Sequence, residues 1–234
     1  MRLLVTRPEP DATRTAAALR ARGHEVLVAP LLATQTIEAE FDERYDAVLM
    51  TSANAARAAS RQSHFAQLRK LPVVTVGHRT AEIAQTAGFT QAGSPGGSLA
   101  DLVAFVPTIF GAGSRLLYLA GEDRAGDLAG ELGRHGVIVD TVVIYRAVAA
   151  EKLPPHLTQA LQENALDAAL HYSRRSVATL LRFAGQAGAV NTVTNLAHYC
   201  LSAEVAAPLR EAGAGRIAVA ARPDEASLLA LIPE

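Results

Sequence analysis

Short apolar runs alternate along the chain with longer segments of helical period. Residues 3–6 read as a strand, Arg7-Pro8-Glu9-Pro10 as the turn that ends it, and Asp11 stands where a helix N-cap belongs. Ala16, Leu19 and Ala21 continue one helical face until Gly23 closes it, and residues 24–29 read as the next strand. The same reading predicts strands over 47–50, 72–76, 116–119, 137–144, 168–170, 198–201 and 217–219. Strand–helix–strand units of this size imply parallel sheets covered by helices, an α/β fold. Ligands of such sheets sit at the carboxyl ends of the strands, so chemistry is expected in residues that directly follow strands.

The pattern also repeats. Tyr45-Asp46-Ala47-Val48-Leu49-Met50-Thr51-Ser52 matches Leu166-Asp167-Ala168-Ala169-Leu170-His171-Tyr172-Ser173, and residues 71–88 match 196–213 at a similar offset. More loosely, residues 5–26 resemble 119–139, with Gly23 against Gly136. This pairing groups the unit at Leu3 with those at Ala168 and His198, and the unit at Leu116 with those at Ala47 and Pro72. The first strand and helix are thus expected to cross over and join the C-terminal half. The middle of the chain becomes an inserted domain held by connections near 30–37 and 140–149. Two connections between two compact domains predict a hinge with a cleft.

Composition narrows the partners. Of 234 residues, 50% are hydrophobic and 19% charged, which excludes dominant disorder. Twenty-two basic residues stand against 23 acidic ones, so no global attraction to nucleic acid or an anionic membrane is expected. The single cysteine, Cys200, excludes an internal disulfide framework or a zinc site of several thiolates, and points to a reducing compartment. Met1-Arg2-Leu3-Leu4-Val5-Thr6-Arg7-Pro8 meets a second charge and a proline too early for a signal peptide. The uncharged stretch 183–203 carries too many amides and threonines to span a membrane. A cytoplasmic location is expected.

Standard motifs are mostly absent. Gly93-Ser94-Pro95-Gly96-Gly97-Ser98 lacks the lysine and spacing of a phosphate loop and reads as a flexible loop before a helix near Leu99. No strand runs into a dinucleotide glycine fingerprint. The seven histidines show no metal-ligand spacing, and His78, His171 and His198 each read as isolated strand-end or loop residues. Ser52 and Ser173 follow paired strands and precede helices. Each can cap its helix while that helix's N-terminus faces an anionic ligand. The same argument reaches Thr80, just after Gly77. Arg7 and Arg124 also follow strands and could hold carboxylates, although Glu122 and Asp123 offer Arg124 nearer partners.

Taken together, Val5-Thr6-Arg7-Pro8, Thr51-Ser52-Ala53-Asn54-Ala55, Val76-Gly77-His78-Arg79-Thr80-Ala81, Val143-Ile144-Tyr145 and the closing Gly213, Pro223 and Leu228-Leu229 resemble the uroporphyrinogen-III synthase family over essentially the whole chain. The resemblance implies two flavodoxin-like parallel-sheet domains joined by a two-stranded linker. The first is discontinuous, 1–33 plus 149–234; the second is 38–140; the linkers lie near 34–37 and 141–148. It also implies cyclisation of hydroxymethylbilane with inversion of the last ring and loss of water, using no metal or organic cofactor. By the same resemblance Tyr145 is the catalytic candidate, hydrogen-bonding the departing hydroxyl, while Ser52, Asn54, Thr80 and Ser173 bind substrate, Arg7 with them. At Leu201-Ser202-Ala203-Glu204-Val205-Ala206 the chain departs from the family pattern: Val205 replaces a hydroxyl, and Ser202 is a loose stand-in. A monomer acting on a small-molecule linear tetrapyrrole, with no nucleic acid or membrane, is expected. Two other readings stay open on the residues alone. One is a non-catalytic two-domain binder of a small anionic ligand; the other, a Rossmann-type nucleotide enzyme, is disfavoured by the missing fingerprint.

Overall fold

The computed structural model describes residues 1–41, 44–124 and 126–233. The chain opens with β1 (Arg2–Val5), α1 (Asp11–Arg20), β2 (Glu25–Val28) and β3 (Leu32–Thr36). It continues through β4 (Ala47–Met50), α2 (Ala53–Ala59), α3 (Phe65–Leu68), β5 (Val73–Thr75), α4 (His78–Ala87), β6 (Ala92–Gly93) and α5 (Leu99–Ile109). Next come β7 (Arg115–Gly121), α6 (Leu128–Gly133), β8 (Ile138–Ala149), α7 (Pro155–Gln162), β9 (Ala168–His171) and α8 (Arg174–Gln186). The last elements are α9 (Val190–Thr194), β10 (Ala197–Cys200), α10 (Ala203–Glu211), β11 (Ile217–Val219) and α11 (Glu225–Leu229).

Two compact units result, 1–33 with 148–234 in one and 34–147 in the other. The first holds a sheet in the order β11-β10-β9-β1-β2, with its four strand pairings parallel. The second holds the order β3-β8-β7-β4-β5-β6, parallel from β8 to β6. Strands β3 and β8 carry the chain between the units. The Ile37 N–H donates to the Ile144 carbonyl at 2.8 Å and the Ala150 N–H to the Leu31 carbonyl at 2.9 Å, so these two stretches run in opposite directions.

Alternation within strands builds the cores. Leu3 and Val5 of β1 join Ala168, Leu170, Tyr199 and Leu228 on one face of their sheet. Leu4, between them, joins Ala169, Leu157, Leu180 and Phe183 on the other. In the second unit Val48, Met50, Leu117 and Leu119 pack on one face and Ala47, Leu49, Leu116 and Tyr118 on the other. Sheets buried on both faces need strands without polar interruption, which is why these runs were readable. Each fully buried leucine contributes roughly 1.5–3 kcal/mol.

Some expectations are corrected. Asp11 is the first residue of α1 rather than its cap; the N-cap is Pro10, and the first turn is capped instead by the Glu9 carboxylate, which accepts the Thr13 N–H at 3.0 Å. The Asp11 carboxylate lies instead 3.7 Å from Arg7 and 3.8 Å from Arg14. Residues 94–98 lie outside the helices and strands and lead into α5 at Leu99, where Ser98 and Asp101 close a capping box. The hydrophobic pattern alone predicts neither β3 nor β6, since three of the five residues of Leu32–Thr36 are polar and Ala92–Gly93 has two residues.

Candidate active site

In the second unit the carboxyl ends of β4, β5 and β7 gather hydroxyl groups. Strand β4 leads through Thr51 to Ser52, whose extended backbone (φ −146°, ψ 141°) ends the strand and caps α2. The Ser52 Oγ accepts the Asn54 N–H at 3.1 Å, and the Asn54 Oδ1 accepts from Arg57 at 2.8 Å. The Thr51 and Tyr118 hydroxyls are 2.9 Å apart. After β5, helix α4 starts on Gly77, also extended, with no side chain to cap it. Thr80 is buried in its first turn, with its N–H bonded to the Gly77 carbonyl at 2.9 Å.

Tyr145 lies on β8 beside Gly121, the last residue of β7. Burial raises its phenol above the ordinary tyrosine value; the polar contact with Ser52 opposes this, and Tyr118 and Asp123 reinforce it. A phenol so placed keeps its proton at neutral pH and can only donate it or share it.

In the first unit the corresponding helix starts are capped. Ser173 accepts the Ser176 N–H at 3.1 Å at the start of α8, and Ser202 accepts the Val205 N–H at 3.3 Å at the start of α10. Arg7 is committed elsewhere. Its guanidinium donates to Glu225 at 3.0 Å and to Thr15 at 3.1 Å, and lies 3.9 Å over the Tyr172 ring. Glu225 also accepts from the Thr15 hydroxyl at 2.6 Å, from the Tyr172 phenol at 3.1 Å and from Arg14. Burial alone would raise the Glu225 carboxyl, but bonds from Thr15 and Arg14 and the charges of Arg7 and Arg14 hold it below its ordinary value. Burial pushes the Tyr172 phenol up to about 12.

His171 and His198 do not sit alone. Neighbouring strands β9 and β10 bring them together in the buried core, Nε2 to Nδ1 at 2.9 Å. The His198 Nε2 lies 3.1 Å from the Val193 carbonyl, which can only accept. His198 therefore carries its proton on Nε2, His171 must donate from its own Nε2, and both rings are neutral. The remaining His171 Nδ1 has no hydrogen-bond partner among the described residues. Burial lowers His171 to about 3 and His198 to about 4.

Among the described residues no group of three or more His, Cys, Asp or Glu side chains could hold a metal ion. Among the same residues no helix is long and apolar enough to cross a membrane.

A family model described as "Uroporphyrinogen-III synthase HemD" matches residues 13–230. The chain belongs to the uroporphyrinogen-III synthase family. It is an enzyme of tetrapyrrole biosynthesis. The uroporphyrinogen-III synthetase of Helicobacter pylori 26695 matches in fold over 99% of this chain and 98% of its own, with a TM-score of 0.67 at 18% identity. A mutant uroporphyrinogen III synthase from the extremely thermophilic bacterium Thermus thermophilus aligns over 98% of this chain and 96% of its own, with a TM-score of 0.49 at 17% identity. No curated relative matches the chain.

Of the residues singled out in the sequence of this synthase, Tyr145, Ser52, Asn54 and Thr80 belong to the second unit and Arg7, Ser173 and Ser202 to the first. Ser52 lies within polar reach of the Tyr145 phenol. Arg124 is exposed. Sequence reasoning missed Gly121, Tyr118, Tyr172 and Glu225. The repeat held a signal for one of them: Tyr172 precedes Ser173 as Thr51 precedes Ser52, and both hydroxyls are hydrogen-bonded at a strand end.

Proposed function

We propose that the enzyme cyclises hydroxymethylbilane, inverting its last ring and releasing water, with Tyr145 as the proton donor to the departing hydroxyl. The observation that carries this reading is a half-buried phenol held protonated beside Ser52, at the carboxyl end of a parallel sheet. Loss of the hydroxyl leaves a reactive azafulvene, so assistance at that step and positioning of the rings do most of the work. General-acid assistance of this kind contributes about 10²–10⁴-fold.

The substrate is a polycarboxylate, and helix N-termini suit it without a basic surface. In this reading Ser52, Asn54 and Thr80 bind it from the second unit, and Ser173 and Ser202 from the first. Arg7 reaches a substrate carboxylate only by exchanging Glu225 for it. Strand order supports two flavodoxin-like domains: β2-β1-β9-β10-β11 follows the order 2-1-3-4-5, and β8-β7-β4-β5-β6 follows it when β7 is counted first. The domains are 1–33 with 149–234 and 38–140, linked through 34–37 and 141–148. The enzyme acts as a cytoplasmic monomer on a small molecule, without nucleic acid or membrane.

The test is chromatographic analysis of the product isomers after mixing the protein with fresh hydroxymethylbilane. Predominantly type III product is expected. Only type I product, at the rate of unaided closure, would reject the activity and favour a non-catalytic binder of an anionic ligand.

A further inference from the structure

Two features of the second sheet converge on Tyr145. The first is a break in register. Strands β7 and β8 pair in step from Arg115 against Ile138 to Ala120 against Val143, and then Gly121 pairs with Tyr145, leaving Ile144 as an extra residue. In an unbroken strand adjacent side chains alternate between faces. Here Ile144, fully buried, and Tyr145 both pack against the cluster of Val48, Met50, Leu117 and Leu119. The bulge therefore re-aims Tyr145 to the face where Ser52 starts α2, a use that bulges beside active sites commonly serve.

The second feature is the space the ring occupies. A Cβ on Gly121 would lie 2.7 Å from the Tyr145 Cζ, 2.8 Å from its hydroxyl oxygen and 2.9 Å from its Cε2, closer than real Cβ contacts come. The φ of Gly121 is outside the left-handed region, so its backbone does not require glycine. Its need for glycine is the tyrosine.

We propose that Gly121 is a positioning residue for the reaction: its missing side chain, together with the bulge at Ile144, seats the Tyr145 phenol beside Ser52. This rests on the reading of Tyr145 as the proton donor. An added methyl moves the ring, because the ring is the part of the contact able to swing, and a donor displaced by about 1 Å forfeits on the order of 10²-fold in rate.

The test is a cycle of G121A, Y145F and G121A/Y145F, with G133A as control because a Cβ there meets nothing within 4 Å. Initial rates of type III formation, corrected for type I, give kcat and KM, and thermal unfolding checks the fold. Expected are a roughly 10²-fold lower kcat in G121A with KM within a few-fold, and a G121A/Y145F variant no slower than Y145F. G133A should turn over as wild type. Losses that multiply in the double variant would overturn the proposal, because Gly121 would then act independently of the phenol; so would a G121A variant with wild-type kcat. Should Y145F itself keep the wild-type rate, the donor reading fails separately. G121A/Y145A then decides the steric contact: recovery of the rate lost in G121A retains it, and no recovery rejects it.

Discussion

The carboxyl ends of the two sheets are built from related sequence and carry different polar groups. In the first unit, Arg7, Arg14, Thr15, Tyr172 and Glu225 saturate one another, and Glu225 accepts bonds from four side chains. In the second, the corresponding strand ends carry neutral hydroxyls and phenols around Tyr145, and α4 begins on a bare Gly77. A polar cluster whose members satisfy each other fixes a structure but has little left for a ligand. A set of protonated hydroxyls at helix starts retains capacity to donate. The lesson is that the repeat conserved the scaffold of the strand ends while the chemistry diverged.

The two tyrosines separate these roles most sharply. Y145F is expected to lower kcat by about 10²–10⁴-fold with little change in unfolding temperature. Y172F removes a 3.1 Å bond to Glu225 and is expected to cost about 1–2 kcal/mol of stability with near wild-type kcat. Steady-state rates and urea unfolding of both variants check this; a Y172F variant as inactive as Y145F would break the division.

A second contrast lies in the buried histidines, which have no counterpart on β4 and β5. Native His171 and His198 titrate at about 3 and about 4, whereas an unfolded imidazole titrates near 6.5. Below about 6.5 the unfolded chain binds protons that the native pair refuses, so the first unit is fully stable above that pH and weakens as the pH falls towards 4. Urea midpoints at pH 7.5, 6.5 and 5.5 should fall in sequence for the wild type and stay nearly level in H171F/H198F. An equal slope in both would remove the pair from the account.

The smallest expected effects concern the caps. S52A and S173A each lose one helix-capping acceptor and should each cost about 1 kcal/mol. Only S52A should also reduce kcat, a few-fold, because the Ser52 hydroxyl also acts on the Tyr145 phenol. Equal rates in the two variants would dissolve the distinction between the units.

The sequence made the parallel strands and the crossover of β1 legible, because buried strands are unbroken apolar runs and repeats preserve them. Ser52 and Ser173 were legible as caps, since capping is local. Tyr145 came from family resemblance alone. What stayed hidden depends on register and long-range pairing. The His171–His198 contact requires β9 beside β10, and Arg7 meets Glu225 from the far end of the chain. The bulge at Ile144 leaves no mark in an apolar stretch where either face accepts a valine or isoleucine.

The crossover has a consequence in time. The second unit is one continuous segment, so it can fold as it emerges during synthesis. Strand β1 pairs with β2 close by, but its other neighbour, Ala168–His171, is made 165 residues after it. At ordinary translation speeds the gap is roughly ten to thirty seconds. For that interval an apolar strand stands with one edge unclaimed while a whole unit is completed downstream of it.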